Sequence, residues 1–311
     1  MKGVAVVIVL IALAALPLFA GTFYINLASQ ILIAAIFALS LNLLVGYGGL
    51  TSLGHASFLG FAAYAAAWTS TRLGYDWLTA AALSIAATTL MAAIFGLISL
   101  RATGLGFLMI TLALSQVLWG LAYRWASLTN GDNGLTVPAR PTPFDIPLDS
   151  AEAYYWFTLA VFAISLALMA VFASSAFGST LKGTRDQPRR MRALGYNVWL
   201  IRWITFVYAG FWGGVAGLLY VYYNKYIHPT ALSITTSAEG LLGVIAGGSG
   251  TLGGPVIGAG LLVLLRNWAS AYIERWNMLL GFIFLFIVLV MPEGIVPGLQ
   301  RIFARGRARK V

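Results

Sequence analysis

Long apolar stretches, broken by short polar or glycine-rich intervals, organise the whole chain. Ten windows stand out, at residues 3–20, 26–45, 53–70, 77–100, 104–124, 154–175, 203–223, 236–247, 253–266 and 277–291. A bilayer core of roughly 30 Å needs about 20 apolar residues per helix, and most of the windows approach that length. The eighth and ninth are short, and Gly247-Gly248-Ser249-Gly250-Thr251-Leu252-Gly253-Gly254-Pro255 separates them. They fit short full spans, a re-entrant pair, or halves of broken helices. The pattern predicts an all-α polytopic membrane protein with about 8–10 transmembrane helices, some short or glycine-broken.

Composition agrees. The 311 residues are 60% hydrophobic and 9% charged, against about a quarter charged in soluble domains, and a soluble fold of this size has no means of hiding so much apolar surface. Cysteine is absent, which removes disulfides, thiolate metal sites and a cysteine nucleophile. At the N-terminus, Lys2 and the apolar run to Leu16 have the form of a signal peptide, but a cut after Ala20 would place Leu18, not a small residue, three positions before it. A retained first span is the expectation.

Ten crossings put both termini on one face together with Arg101, the 182–202 segment and the tail Arg301, Arg305, Arg307, Arg309 and Lys310. That face holds 13 of the 19 Lys and Arg residues, against Asp186 and Glu293. The net charge of +10 is thus a topology signal, and the positive-inside rule makes this face cytoplasmic. A re-entrant pair at 236–266 would preserve the same sidedness.

Two long intervals interrupt the spans. Residues 125–153 form an outer loop whose Asn130-Gly131-Asp132-Asn133-Gly134 run and prolines at 138, 141, 143 and 147 signal tight turns. Inside lies a basic island, Leu181 to Gly195, with Lys182, Arg185, Arg189, Arg190 and Arg192. Pro188 suits a first helical turn and Gly195 a position just past a helix end. About two turns of surface helix fit between them, with Met191 and Leu194 sharing a face. The island reads as a docking element for a soluble partner, or else as a solvated topogenic loop.

Gly49-Leu50-Thr51-Ser52-Leu53-Gly54-His55 resembles Ser249-Gly250-Thr251-Leu252-Gly253-Gly254. Such repeats in transporters mark interrupted helices that line a substrate site and offer free helix N-termini to an anionic group. The alternative is a pair of tight inter-helix turns. Gly210, Gly213, Gly214 and Gly217 form two overlapping G-x-x-x-G spacings, which favour close helix packing within the subunit or against a partner, with a substrate groove as the lesser reading. Polar residues inside spans include Asn42, Thr111, Ser115, Gln116 and Glu239. An intramembrane carboxylate is a functional candidate, although Glu239 lies near the outer end of its segment. The candidate pathway set is Asn42, Ser52, His55, Thr111, Gln116, Glu239 and Thr251; for His55 a hydrogen-bonding turn residue is the blander and better alternative.

No Walker-type phosphate loop is present, nor a carboxylate pair for an ion-coupled relay, a metal-ligand cluster or a nucleophile–base arrangement. No catalytic residue is assigned; the chain reads as a membrane protein that is not an enzyme and that itself binds no cofactor or nucleic acid.

Four segments in order resemble one family. Leu41 to Phe58 (LNLLVGYGGLTSLGHASF) is similar to the N-terminal signature of bacterial branched-chain amino-acid ABC permeases. Thr129 to Leu135 resembles the outer-loop signature of their LivM-type subunit. Arg185-Asp186 through Ala193-Leu194-Gly195-Tyr196-Asn197 resembles the segment that contacts the ATPase, and Gly247 to Ala259 the C-terminal signature. The resemblance covers roughly residues 30 to 298. It implies a single permease domain, 1–298, with a cytoplasmic coupling segment at 178–197 and a basic tail at 299–311. It implies a multi-pass subunit of a bacterial or archaeal cytoplasmic membrane, with both termini inside. The implied partners are a LivH-type second permease, two ABC ATPase subunits that hold ATP and Mg, and a periplasmic or surface solute-binding protein docking on the outer loop at Asn130, Asp132 and Asn133. The coupling residues would be Arg185, Asp186, Arg189, Arg190, Arg192, Leu194 and Gly195. Where the family commonly carries acidic residues, this chain has Pro188 and Arg192, which implies a correspondingly acidic ATPase groove. Urea permeases share these signatures, so a urea or short-amide substrate is an alternative to apolar amino acids. An ion-coupled secondary transporter, or a structural or assembly protein, is the alternative from another class.

Overall fold

The computed structural model describes residues 2–137, 140–143, 147–272, 275–291 and 294–298. The basic tail from residue 299, Pro138 and Glu293 lie outside the described residues. Each apolar window becomes a helix: α1 (Lys2–Phe19), α2 (Thr22–Asn42), α3 (Ala56–Arg72), α4 (Trp77–Ser99), α5 (Leu105–Arg124), α7 (Ala151–Ser174), α10 (Val198–Asn224), α11 (Ile234–Gly247), α12 (Gly253–Tyr272) and α13 (Trp276–Val290). Short helices α6 (Ala126–Thr129), α8 (Ala176–Asp186) and α9 (Pro188–Ala193) fill the two long intervals. Among the described residues, α2 with its terminal turn, α4, α5, α7 and α10 are each long and apolar enough to cross a membrane. The protein is an all-α polytopic membrane protein.

Local chemistry sets the helix starts. Ser150, Ser175, Asn197 and Ser233 each accept a hydrogen bond from a backbone N–H in the first turn of α7, α8, α10 and α11, and Asp76 does so for α4. Each side chain thereby satisfies one of the donors that a helix start leaves open. The far end of α2 departs from α geometry, because Leu43–Tyr47 continues it as a π-helical turn. Turns of this kind often mark functional positions.

Two helices form the centre. The most apolar stretch of α2 is 78% buried and that of α10 is 61% buried, against 22% for α5. The glycines of α10 explain its position. A Cβ on Gly210 would collide with Ala92 of α4 and one on Gly214 would meet Thr88 of α4, whereas Gly213 abuts Phe58 and Gly217 the Leu59 carbonyl, both in α3. The two overlapping spacings therefore present two faces to two different helices within the subunit. Phe58, Phe107 and Phe206 add edge-to-face ring contacts around this centre.

One end of the bundle carries the 126–150 interval. There β1 (Leu135–Thr136) pairs antiparallel with β2 (Tyr226–Ile227), and the Arg140 guanidinium donates to the carbonyls of Leu148, Asp149 and Tyr223. This is the loop end. The opposite end carries α8 and α9. After β2 the chain dips inward through a 3-10 turn at Pro229–Leu232, where Leu232 packs on Gly60 and its carbonyl accepts from Ser115. α11 continues the descent with 14 residues, about 21 Å at 1.5 Å per residue. Its glycine turn ends beside α8, and α12 returns toward the loop end. α11 is a short helix of 14 residues, whereas α12 runs continuously for 20, Gly253–Tyr272, and is not half of a broken helix.

Candidate functional site

The second glycine segment docks on the end of α2 at one residue. Asn42, fully buried at the end of α2, donates its amide to the Thr251 carbonyl at 2.8 Å and accepts from the Gly250 N–H at 2.9 Å. A side-chain amide can make this double contact because it holds a donor and an acceptor side by side. Gly46, one turn on, has no room for a Cβ, which would collide with Asn42 Oδ1 and Gly250 N.

Helix α8 closes this junction from outside. Its Leu181 is fully buried and packs near Gly48, its Lys182 ammonium stands 5.2 Å from the centre of the Tyr47 ring, and Arg185 Nη1 donates to the Gly46 carbonyl at 2.5 Å. Leu181 and Arg185 are four apart and so share a face. The Arg185 Nε also donates to Asp186 at 2.8 Å. Gly49, in the left-handed region at φ 65°, brings the backbone close enough for the Arg185 methylenes to lie across it.

Toward the loop end, a cavity of about 420 Å³ opens between α2, α10, α11 and α12. Glu239 of α11 and Arg266 of α12 form an ion pair on its wall at 3.3 Å. Nearby, Asn267 donates to Gln30 at 3.4 Å, Gln30 to the Tyr223 hydroxyl at 3.0 Å, and Tyr223 to the Asn26 carbonyl at 3.3 Å. The floor is apolar, closed where Phe37 packs on Gly240.

Residues 23–289 match the family described as "Branched-chain amino acid transport system / permease component". The chain belongs to this family. It is 23% identical to the high-affinity branched-chain amino acid transport system permease protein LivM of Salmonella typhimurium LT2, covering 88% of this chain and 70% of the relative. It is 25% identical to the protein of the same description from Escherichia coli K12, covering 94% and 74%. No solved structure matches the chain.

The permease places its other sequence candidates at separate levels. Ser52 and His55 are buried. Ser52 Oγ accepts from the Gly54 N–H at 3.2 Å, and the His55 Nε2 lies 2.8 Å from the Ser40 hydroxyl. Thr111 is buried and donates to the Leu108 carbonyl; its own carbonyl crowds Gly54. Gln116 is half-buried on α5. Of the seven pathway candidates only Glu239 lines the cavity. The helix starts expected to offer free N–H groups are in fact capped. Ser237 of α11 accepts from Ala56 N–H at the start of α3, and Thr251 Oγ1 from Gly254 N–H at the start of α12, both at 3.0 Å.

The basic segment holds the end of α8 and, between Pro188 and Gly195, the short helix α9. Pro188 opens α9 and Gly195, at φ 87°, ends it: Tyr196 N–H donates to the Met191 carbonyl and Gly195 N–H to Arg192, the usual glycine-terminated pattern. Met191 and Leu194 do not share a buried face. Met191 folds back against Gly183 of α8, while Leu194 caps α9 and is exposed, because the helix stops one residue earlier. Arg189, Arg190 and Arg192 are exposed around it. At the loop end, Asn130 adopts the left-handed conformation at φ 61° and donates to the Gly134 carbonyl at 3.1 Å. Asp132 pairs with His228 at 3.3 Å, and the Asn133 carbonyl accepts from the Tyr226 hydroxyl at 2.8 Å. All three candidate docking side chains are exposed.

Sequence reading missed Gln30, Tyr223, Arg266 and Asn267. Gln30 stood inside an apolar window and was legible as a lone amide. Arg266 and Asn267 were not, because the apolar run ends at Arg266 while α12 continues to Tyr272.

Proposed function

We propose that this permease is the transmembrane subunit of an ATP-driven importer of branched-chain amino acids. It works with a second permease, two ATPase subunits that bind ATP and Mg, and a solute-binding protein. The α8–α9 end is cytoplasmic, and the solute-binding protein docks at the other end, partly on Asn130, Asp132 and Asn133. The observation that carries this reading is the Arg185–Gly46 hydrogen bond. It joins the segment bearing the exposed arginines to the last turn of α2, beside the contact of Asn42 with Gly250 and Thr251. A partner that moves α9 therefore pulls on the point where α2, α11 and α12 converge.

The two ends of the bundle differ in a way that suits alternating access. The cavity lies at the loop end, and the α8 end is shut by Asn42, Gly46 and Gly250. ATP binding and the loaded solute-binding protein would favour different arrangements of these two closures, which is the differential affinity that any driven transition requires. Asp186 and the Arg189, Arg190 and Arg192 cluster would meet an acidic groove on the ATPase.

A mild-detergent pull-down of the tagged chain from its native cells, with mass spectrometry, tests the assembly. Two ATPases and a second permease are expected; a single species across several gentle detergents would overturn the reading in favour of ion-driven transport. Reversal of Arg189, Arg190 and Arg192 to glutamate is expected to release the ATPases while membrane insertion persists.

A further inference from the structure

We propose that Arg140 is a positioning residue through which a solute-binding protein docked at the loop end acts on the cavity. This rests on the importer reading above and gives its outer coupling a residue.

Helix chemistry sets up the contact. α10 ends at Asn224, and the carbonyls of a last helical turn have no partner within the helix. The Tyr223 carbonyl is one of them. Arg140 Nη2 donates to it at 3.3 Å, while Nη1 of the same guanidinium donates to the carbonyls of Leu148 and Asp149 at 3.1 and 3.2 Å. The helix dipole also favours a cation at this end. The planar fork thus addresses two stretches of main chain at once, the end of the 126–150 interval and the end of α10. All three acceptors are backbone groups. A shift of one stretch is therefore passed to the other instead of being absorbed by the turning of a side chain.

The neighbouring ties are wetter or shorter. Lys225 pairs with Asp149 at 3.4 Å, with both side chains exposed, and surface pairs of this kind contribute little. β1 and β2 have two residues each. Arg140 is half-buried and its Nε is shielded from solvent. Its guanidinium carbon stands 4.8 Å from the centre of the buried Tyr154 ring, which lies 5.8 Å from the Tyr223 ring. Hydrogen bonds from a charged donor are the stronger kind, and shelter from water strengthens them further.

Tyr223 carries the link inward. It lines the cavity, and its hydroxyl accepts from Gln30 at 3.0 Å and donates to the Asn26 carbonyl at 3.3 Å, both in α2. On the other side, the candidate docking residues rest on the strand that follows α10. Asp132 pairs with His228, and the Asn133 carbonyl accepts from Tyr226. Residues 223–228 therefore stand between the exposed turn and the cavity wall. A partner that favours one position of the 126–150 interval biases the end of α10, and with it the wall that α10 shares with α2. That is the differential affinity a driven change requires.

The ATPase activity of the purified complex, in lipid nanodiscs, is to be titrated with the leucine-loaded solute-binding protein of the same cells. Wild type, Arg140→Gln, Arg140→Lys and Tyr223→Phe are compared. Both Arg140 variants should keep their partner subunits, their basal ATPase activity and the half-saturating concentration, and lose about fivefold or more of the maximal stimulation. Lysine fails because an ammonium lacks the fork. Tyr223→Phe leaves the Arg140 bonds in place and cuts the hydroxyl link to α2, so its maximal stimulation should fall likewise. A residue that only keeps the docking surface in shape would raise the half-saturating concentration and spare the maximum. That result, wild-type stimulation in Arg140→Gln, or full restoration by lysine overturns the proposal. Should the Arg140 variants fail to assemble, wild-type maximal stimulation in Tyr223→Phe overturns it in their place. A wild-type complex that lacks ATPases, or that no concentration of the binding protein stimulates, removes the importer reading and this proposal with it. A responsive wild type with equally responsive variants removes the role of Arg140 alone.

Discussion

Arg185 in α8 donates to the carbonyl of Gly46 in the π-turn of α2 at 2.5 Å, although the two residues are 139 positions apart. The Gly46 carbonyl is available because it lies in the last turn of the helix, where carbonyls have no intrahelical partner. The guanidinium reaches it while its Nε still holds Asp186. If the permease works in the ATP-driven assembly proposed, replacing Arg185 with Ala should leave it inserted and assembled but cut substrate moved per ATP hydrolysed by about fivefold or more. Arg185→Lys should restore little, since an ammonium has no planar fork to hold both partners. Paired uptake and ATPase measurements on one preparation read this ratio, and an unchanged ratio in Arg185→Ala would refute it.

Asn42 carries the junction behind that bond. Asn42→Ala removes a donor and an acceptor together and leaves the Gly250 N–H and the Thr251 carbonyl without that partner. A loss of about 1–3 kcal/mol is expected, seen as a lower unfolding temperature in detergent. Asn42→Asp keeps the acceptor for Gly250 but offers no donor to Thr251, and buries a charge where the amide was neutral. It should be no more stable than the alanine variant.

The glycines of α10 differ from glycines that merely sit in a helix. Gly217 has the Leu59 carbonyl where a Cβ would go, whereas Gly120 of α5 has open space there. Gly217→Ala is expected to destabilise by about 1–3 kcal/mol through overpacking. Gly120→Ala should be neutral or stabilising by up to about 1 kcal/mol, the helix preference of alanine over glycine. Thermal unfolding of the two variants side by side gives opposite signs; equal melting temperatures would contradict the packing described.

Asn130 holds the loop-end turn through its left-handed backbone and its bond to Gly134. Asn130→Ala loses the bond and gains backbone strain of about 1–2 kcal/mol, whereas Asn130→Gly loses only the bond. If a solute-binding protein docks on this turn, its stimulation of ATPase activity should fall in the order wild type, glycine, alanine. Equal stimulation in all three would place the docking surface elsewhere.

Much was legible in the chain itself. All ten apolar windows became helices because, in hydrocarbon, the backbone must satisfy its own hydrogen bonds, and apolar length alone forces that outcome. Pro188 and Gly195 bounded α9, and the G-x-x-x-G glycines sat where helices approach closely, since both effects depend on residue types and short spacings. Family membership followed likewise from ordered local segments. Where those elements meet was decided only in three dimensions. The resemblance between residues 49–55 and 249–254 gave no hint that Asn42 would bind the second segment 208 positions away. Nor did it show that Ser237 would cap α3, or that Glu239 would find its cation on α12. Such contacts join helices distant in sequence, and which faces meet depends on the packing of the whole bundle, a property that no local spacing encodes.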